Sequence, residues 1–115
     1  MDAITTLYRP VGEQELALIR ASGYTAFPPR LEWQPIFYPV LNQEYAARIA
    51  RDWNARDGKR GYVTRFGVRA AFLAGYDIHR VGSALHEEYW IPAADLGALN
   101  RNIVGAIEVV EEYVS

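Results

Sequence analysis

The sequence predicts an α+β domain built on a small mixed or antiparallel sheet. Three observations carry that expectation. Segments rich in β-branched and aromatic residues recur along the whole chain. They are separated by helical patterns in the order strand, helix, strand, helix, strand, short helix, strand, strand, helix, strand, which lacks the strict alternation of a doubly wound parallel sheet. The chain has 115 residues, 50% apolar and 23% charged, enough for one packed core, so residues 1–115 are expected to form a single domain.

The elements follow in order. Ile4–Tyr8 is β-branched and aromatic and reads as a strand. Pro10-Val11-Gly12 turns the chain into a helix over about Glu13–Ala21, with Leu16 and Ile19 at helical spacing and Gly23 as its stop. Pro28, Pro29, Pro35 and Pro39 forbid helix across the next stretch, where Pro35–Val40 is expected as a short edge strand. Asn42 is a good N-cap for a second helix whose apolar face carries Tyr45, Ala46, Ile49, Ala50 and Trp53. After Asp57-Gly58 and Gly61, the alternation of Tyr62, Thr64, Phe66 and Val68 marks one face of a strand. A helical turn at Ala70–Leu73 ends near Gly75, and strands are expected at Asp77–Val81 and about Glu87–Ile91. Pro92 opens a brief helix through Leu99, and Ile103–Val114 closes the chain as a long strand.

Composition narrows the chemistry. With no cysteine, a disulfide scaffold, a zinc ribbon, an iron–sulfur site and thiol catalysis are excluded. His79 and His86 lack partners at metal-ligand spacing, so no metal site is expected. No glycine-rich phosphate loop and no nucleophile-elbow serine occur. No apolar run reaches membrane-spanning length and no signal-peptide pattern opens the sequence, so a cytoplasmic protein without membrane partners is expected. Charge is unevenly placed. Residues 48–69 hold seven basic side chains against Asp52 and Asp57, whereas residues 86–115 hold six acids against Arg101. A basic middle of this kind suits either a phosphate-bearing ligand or a solvated face.

Two polar residues sit beside apolar runs. Arg9 follows Leu7-Tyr8, and Glu88 precedes Tyr89-Trp90-Ile91. Such positions suit either a surface carboxylate and a solvated arginine or a half-buried carboxylate that needs a partner, for which Arg9 is the candidate. Phe37, Tyr38, Trp33 and Trp90 are candidates either for core packing or for a ligand-stacking wall.

The segments LYRPVGEQELALI, PIFYPVLNQEYAARIARDWN, GYVTRF and EEYWIPAADLGALNRNIVGAIEVV together resemble small bacterial members of the ADP-ribosyltransferase-like superfamily, a group often labelled "ADP-ribosylation/crystallin J1". The likeness covers nearly the whole chain. It implies a split β-fold with two to four short helices that clamps NAD, and a three-part signature of Arg or His, then Ser/Thr or Tyr, then Glu. Arg9 matches the first part and Glu88 the third. Tyr38 matches the second, with Phe37 as the competing register, where a Ser-Thr-Ser motif more often accompanies Arg. In that scheme Arg9, Tyr38 and Glu88 are catalytic. Arg9, Tyr38, Phe37 and Trp90 bind the nucleotide, and His86 selects the acceptor.

The resemblance therefore implies transfer of ADP-ribose from NAD, or NAD cleavage, through an oxocarbenium-like state that a fixed carboxylate stabilises. NAD is then a substrate, and the acceptor is a protein, a nucleic acid, a small molecule or water. Two other readings stay open: a non-catalytic domain of this fold that binds a nucleotide or a protein, and an RNA- or phosphate-binding protein that uses the basic stretch from Arg48 to Arg69.

Overall fold

A computed structural model describes residues 3–83 and 86–114. In chain order the elements are β1 (Ile4–Gly12), α1 (Glu13–Ala21), β2 (Ile36–Phe37), α2 (Gln43–Ile49), β3 (Arg60–Arg69), α3 (Ala70–Leu73), β4 (Ile78–Arg80), β5 (Glu87–Tyr89), β6 (Ile91–Pro92), α4 (Leu96–Arg101) and β7 (Ile103–Val114). A π-helical turn over Ala50–Asn54 extends α2, and a 3-10 turn over Ala93–Asp95 precedes α4. The fold is α+β, and every paired strand is antiparallel.

β3 is the centre of the main sheet. It pairs with β1 on one side, Leu7 opposite Phe66 and Val11 opposite Tyr62, and with β7 on the other. The β3–β7 ladder slips between Val63 and Thr64 and again between Arg65 and Gly67. Beyond β1 the backbone pairing continues through a single residue, Val40. It exchanges two 2.8 Å hydrogen bonds with Tyr8 and bridges to Glu88 of β5, which faces His79 of β4. One row thus crosses the fold as Glu108, Arg65, Tyr8, Val40, Glu88 and His79. Residues directly paired across strands present their side chains to the same face.

That row assigns the two faces. Leu7, Val11, Phe66 and Val68 alternate with it and pack with Leu16 and Ile19 of α1, Phe27, Phe37, Ile91 and Ile107 in the larger core. Leu16 and Ile19 each contribute roughly 1.5–3 kcal/mol by burial. The opposite face carries a smaller core in which Val40 and Val63 meet Ala46, Ala47 and Ala50, flanked by Tyr8 and Tyr45. Asn42 caps α2 as expected, its Oδ1 accepting from the Tyr45 N–H at 3.0 Å. Gly61 lets the end of this helix sit on β3, since a Cβ there would run into the Ala50 carbonyl oxygen.

Two expectations are corrected. Trp53 does not share the apolar face of α2: it is 66% exposed. The Ala55 N–H bonds the Ala50 carbonyl at 2.9 Å, five residues back, and the extra residue in that turn rotates Trp53 away from the sheet. The segment from Pro35 to Val40 is not one strand. Only Ile36 and Phe37 pair, with β6, and Val40 pairs separately with Tyr8. Pro39 between them has no N–H to continue a ladder.

Candidate functional site

The two faces of the sheet carry two different polar arrangements. On the α1 face, Arg9 is 9% exposed. Its Nε and Nη2 donate to both carboxylate oxygens of Glu15 in α1, at 2.6 and 2.9 Å. The guanidinium lies over the Phe37 ring, 4.5 Å from its centroid. Arg30 reaches the same ring, at 5.9 Å, and its Nε donates to the Ile36 carbonyl at 3.1 Å. Burial, and then the adjacent charge of Arg9, push the Arg30 guanidinium below its ordinary value, with Glu15 partly opposing the shift. Arg9, Glu15 and Arg30 line a 680 Å³ cleft together with Leu18, Leu31, Trp53 and Lys59.

On the opposite face Glu88 is also 9% exposed. Oε1 accepts from Trp90 Nε1 at 2.8 Å and Oε2 from the Tyr45 hydroxyl at 3.3 Å. Both donors are neutral, and no ion pair involves Glu88 among the described residues. Each of the two donor rings carries further aromatic contacts. His79 stacks on Trp90 at 3.8 Å, Tyr38 meets Trp90 edge to face at 6.2 Å, and His86 stacks on Tyr45 at 4.4 Å. Burial, then the charge and hydrogen bond of Glu88, push the Tyr45 phenol above its ordinary value. Tyr45 and His86 also line a 260 Å³ cleft with Asn42, Arg48 and Ser83, which has room for a ring-sized group.

Of the residues expected to act together, the structure gathers Glu88, Tyr38, Trp90 and His86 into one cluster. Arg9 is not among them. Strand alternation turns it away from Tyr8, and Tyr8 shares the row of Glu88, so Arg9 and Glu88 lie on opposite faces. The expected Arg9–Glu88 pair is replaced by Arg9–Glu15, six residues apart across the β1–α1 junction. Phe37, offered as a ligand wall, is 1% exposed and belongs to the core beneath Arg9. Tyr45, His79 and Arg30 were not anticipated in the site. Tyr45 could have been found: Asn42 as N-cap places it in the first turn, where a phenol reaches past the apolar face it helps to form. His79 could not, because its place opposite Glu88 depends on the register of the β4–β5 hairpin.

The basic middle and acidic end of the sequence meet within the fold. Arg60 pairs with Glu112 at 3.0 Å and Arg65 with Glu108 at 3.4 Å, across the β3–β7 ladder. Arg51 pairs with Asp52, and Arg56 lies over the Trp53 ring. Among the described residues no three His, Asp or Glu side chains converge as metal ligands. No helix among them is long and apolar enough to cross a membrane. Comparison with protein-family models, with curated proteins and with solved structures finds no match to this chain.

Proposed function

We propose that this chain is an ADP-ribosyltransferase-like domain that consumes NAD, with Glu88 as the catalytic carboxylate. One observation carries the reading. Glu88 is buried, held by two neutral donors and neutralised by no ion pair among the described residues. Scission of the bond between nicotinamide and ribose sends the bonding electrons to the nicotinamide nitrogen and leaves positive charge on the ribose. A carboxylate already fixed in place stabilises that charge without reorganising, an effect of a few kcal/mol, about 3 for a single group. Had Arg9 been its partner, much of that field would be cancelled.

The surrounding rings suit the same task. Tyr45, stacked on His86, walls the ring-sized cleft and carries its hydroxyl to Glu88. Trp90, backed by His79, fixes the other oxygen, and Tyr38 closes that side. His86 lines the same cleft, and in this reading its imidazole meets the acceptor for the ADP-ribosyl group and takes the acceptor's proton as a general base.

The test is release of free nicotinamide from NAD by the purified protein, beside Glu88→Gln. Release by the wild type that falls a hundredfold or more in Glu88→Gln is expected; equal release by both contradicts the role of Glu88. A second reading, a non-catalytic nucleotide- or protein-binding domain of this fold, is favoured by the placement of Arg9 on the other face, tied to Glu15. It predicts saturable NAD binding with no nicotinamide release by either protein.

A further inference from the structure

We propose that the cleft over Arg9 and Arg30 is a docking surface for an acidic segment of a partner protein carrying aliphatic or aromatic anchors. The apolar part of the argument is exposure. Trp53 is 66% exposed, Leu18 56% and Leu31 53%, and all three line this one cleft. Each comes from a different part of the chain: the π-helical turn after α2, α1, and the proline-rich loop. Large apolar side chains gathered from three segments onto one exposed wall mark an interaction site. Trp and Arg together are the residues most enriched among energetic anchors of protein interfaces.

Charge selects the partner. Arg9 is neutralised by Glu15, and Arg60 by Glu112. Arg30 and Lys59 make no ion pair among the described residues, and of the acids lining the cleft only Glu13 is left to oppose them. Arg56 lies over the Trp53 ring at 4.7 Å and adds a third cation next to that side chain. Burial, and then the charge of Arg9, push the Arg30 guanidinium below its ordinary value, and an incoming anion opposes that shift.

The fold itself indicates the chemistry of that anion. Arg9 already holds a carboxylate in bidentate fashion over Phe37, and Arg30 presents a second guanidinium to the same ring. With its Nε held by the Ile36 carbonyl, Arg30 keeps its two terminal nitrogens for a carboxylate from outside. Apolar walls on either side then take the residues flanking that carboxylate, where a bare phosphate would leave Leu18, Leu31 and Trp53 uncovered. The cleft lies on the face opposite Glu88, so this surface and the NAD reading stand or fall separately.

The experiment pans a random linear peptide library against the full chain, then measures the affinity of the selected peptides for wild type, Arg30→Ala and Trp53→Ala. Enrichment of Asp or Glu together with Leu, Phe or Trp is expected, with affinity falling tenfold or more in each variant. Trp53→Ala removes an exposed side chain, so its thermal transition is expected to match the wild type and its loss of affinity reads as loss of contact. Peptides without acidic enrichment, no selected peptide at all, or affinities within twofold in both variants overturn the proposal. So does displacement of the peptides by ADP or inorganic pyrophosphate at comparable concentration, which would assign the cleft to a phosphate ligand. Nicotinamide release unchanged in Trp53→Ala is expected alongside.

Discussion

Arg9 and Glu88 are equally buried, yet the two sides of the sheet use their charges in opposite ways. Arg9 is closed off: a bidentate carboxylate, an aromatic ring beneath and a helix above satisfy it. Glu88 is oriented but not neutralised, with a phenol and an indole as its only hydrogen-bond partners among the described residues. The difference teaches where chemistry can reside. A buried charge matched by an opposite charge holds the fold together, whereas one held only by neutral dipoles keeps its field available to a ligand.

The comparison can be broken at either end. The largest expected effect is that of Arg9→Ala, which strands Glu15 half-buried beside the core. Removing one partner of a buried pair costs about 3 kcal/mol or more, a fall of roughly 10–15 °C in Tm by thermal denaturation for a chain of this size. A Tm within a few degrees of wild type would show that the pair is not structural. Next is Glu88→Gln. The Trp90 N–H still finds an amide oxygen and the Tyr45 hydroxyl can turn to accept from the amide nitrogen, so stability is expected to change by no more than about 1 kcal/mol. Under the proposed function, Arg9 is thus expected to govern folding and Glu88 to govern turnover.

Gly61→Ala probes the element that serves both faces, because α2 carries Tyr45 toward Glu88 while its π turn carries Trp53 into the other cleft. The new methyl group collides with the Ala50 carbonyl and costs about 2 kcal/mol, read as a lower denaturant midpoint. An unchanged midpoint would show that the helix is free to shift. Smallest is the phenol of Tyr45. Because its folded value is raised, its contribution to stability is intact below the ordinary value near 10 and declines as pH rises through the raised value, the unfolded phenol ionising first. Tyr45→Phe is expected to flatten the alkaline limb of stability relative to wild type; parallel limbs would contradict a phenol raised by burial and by Glu88. The phenol of Tyr76, pushed up to about 12 by burial and by its 2.7 Å bond to Asp95, cancels in that difference.

Much of this architecture was legible in the residues. The period-two run from Tyr62 to Val68, the Asn42 cap and the spacing of Leu16 and Ile19 are local signals, and the elements they predict are present. The burial of Glu88 was only half legible, because its place beside Tyr89-Trp90-Ile91 suits a surface carboxylate as well as a buried one. The partner of Arg9 was not, although Glu15 lies only six residues away, because β1 runs on through Gly12 and brings α1 directly over its own last residues. The position of Trp53 was hidden by the change from α to π bonding over Ala50–Asn54. The meaning of the charge blocks was hidden by topology: only when β3 and β7 are neighbours do Arg60 and Arg65 find Glu112 and Glu108. What pattern reading misses here is register, and register decides which face a charge serves.

The most direct test of this division is to record thermal unfolding and nicotinamide release from NAD on the same preparations of wild type, Arg9→Ala and Glu88→Gln. The account predicts a crossed result. Arg9→Ala melts well below wild type yet retains turnover per folded molecule, and Glu88→Gln melts close to wild type with its turnover gone. Loss of turnover in well-folded Arg9→Ala, with activity kept in Glu88→Gln, would place the chemistry on the other face and contradict it.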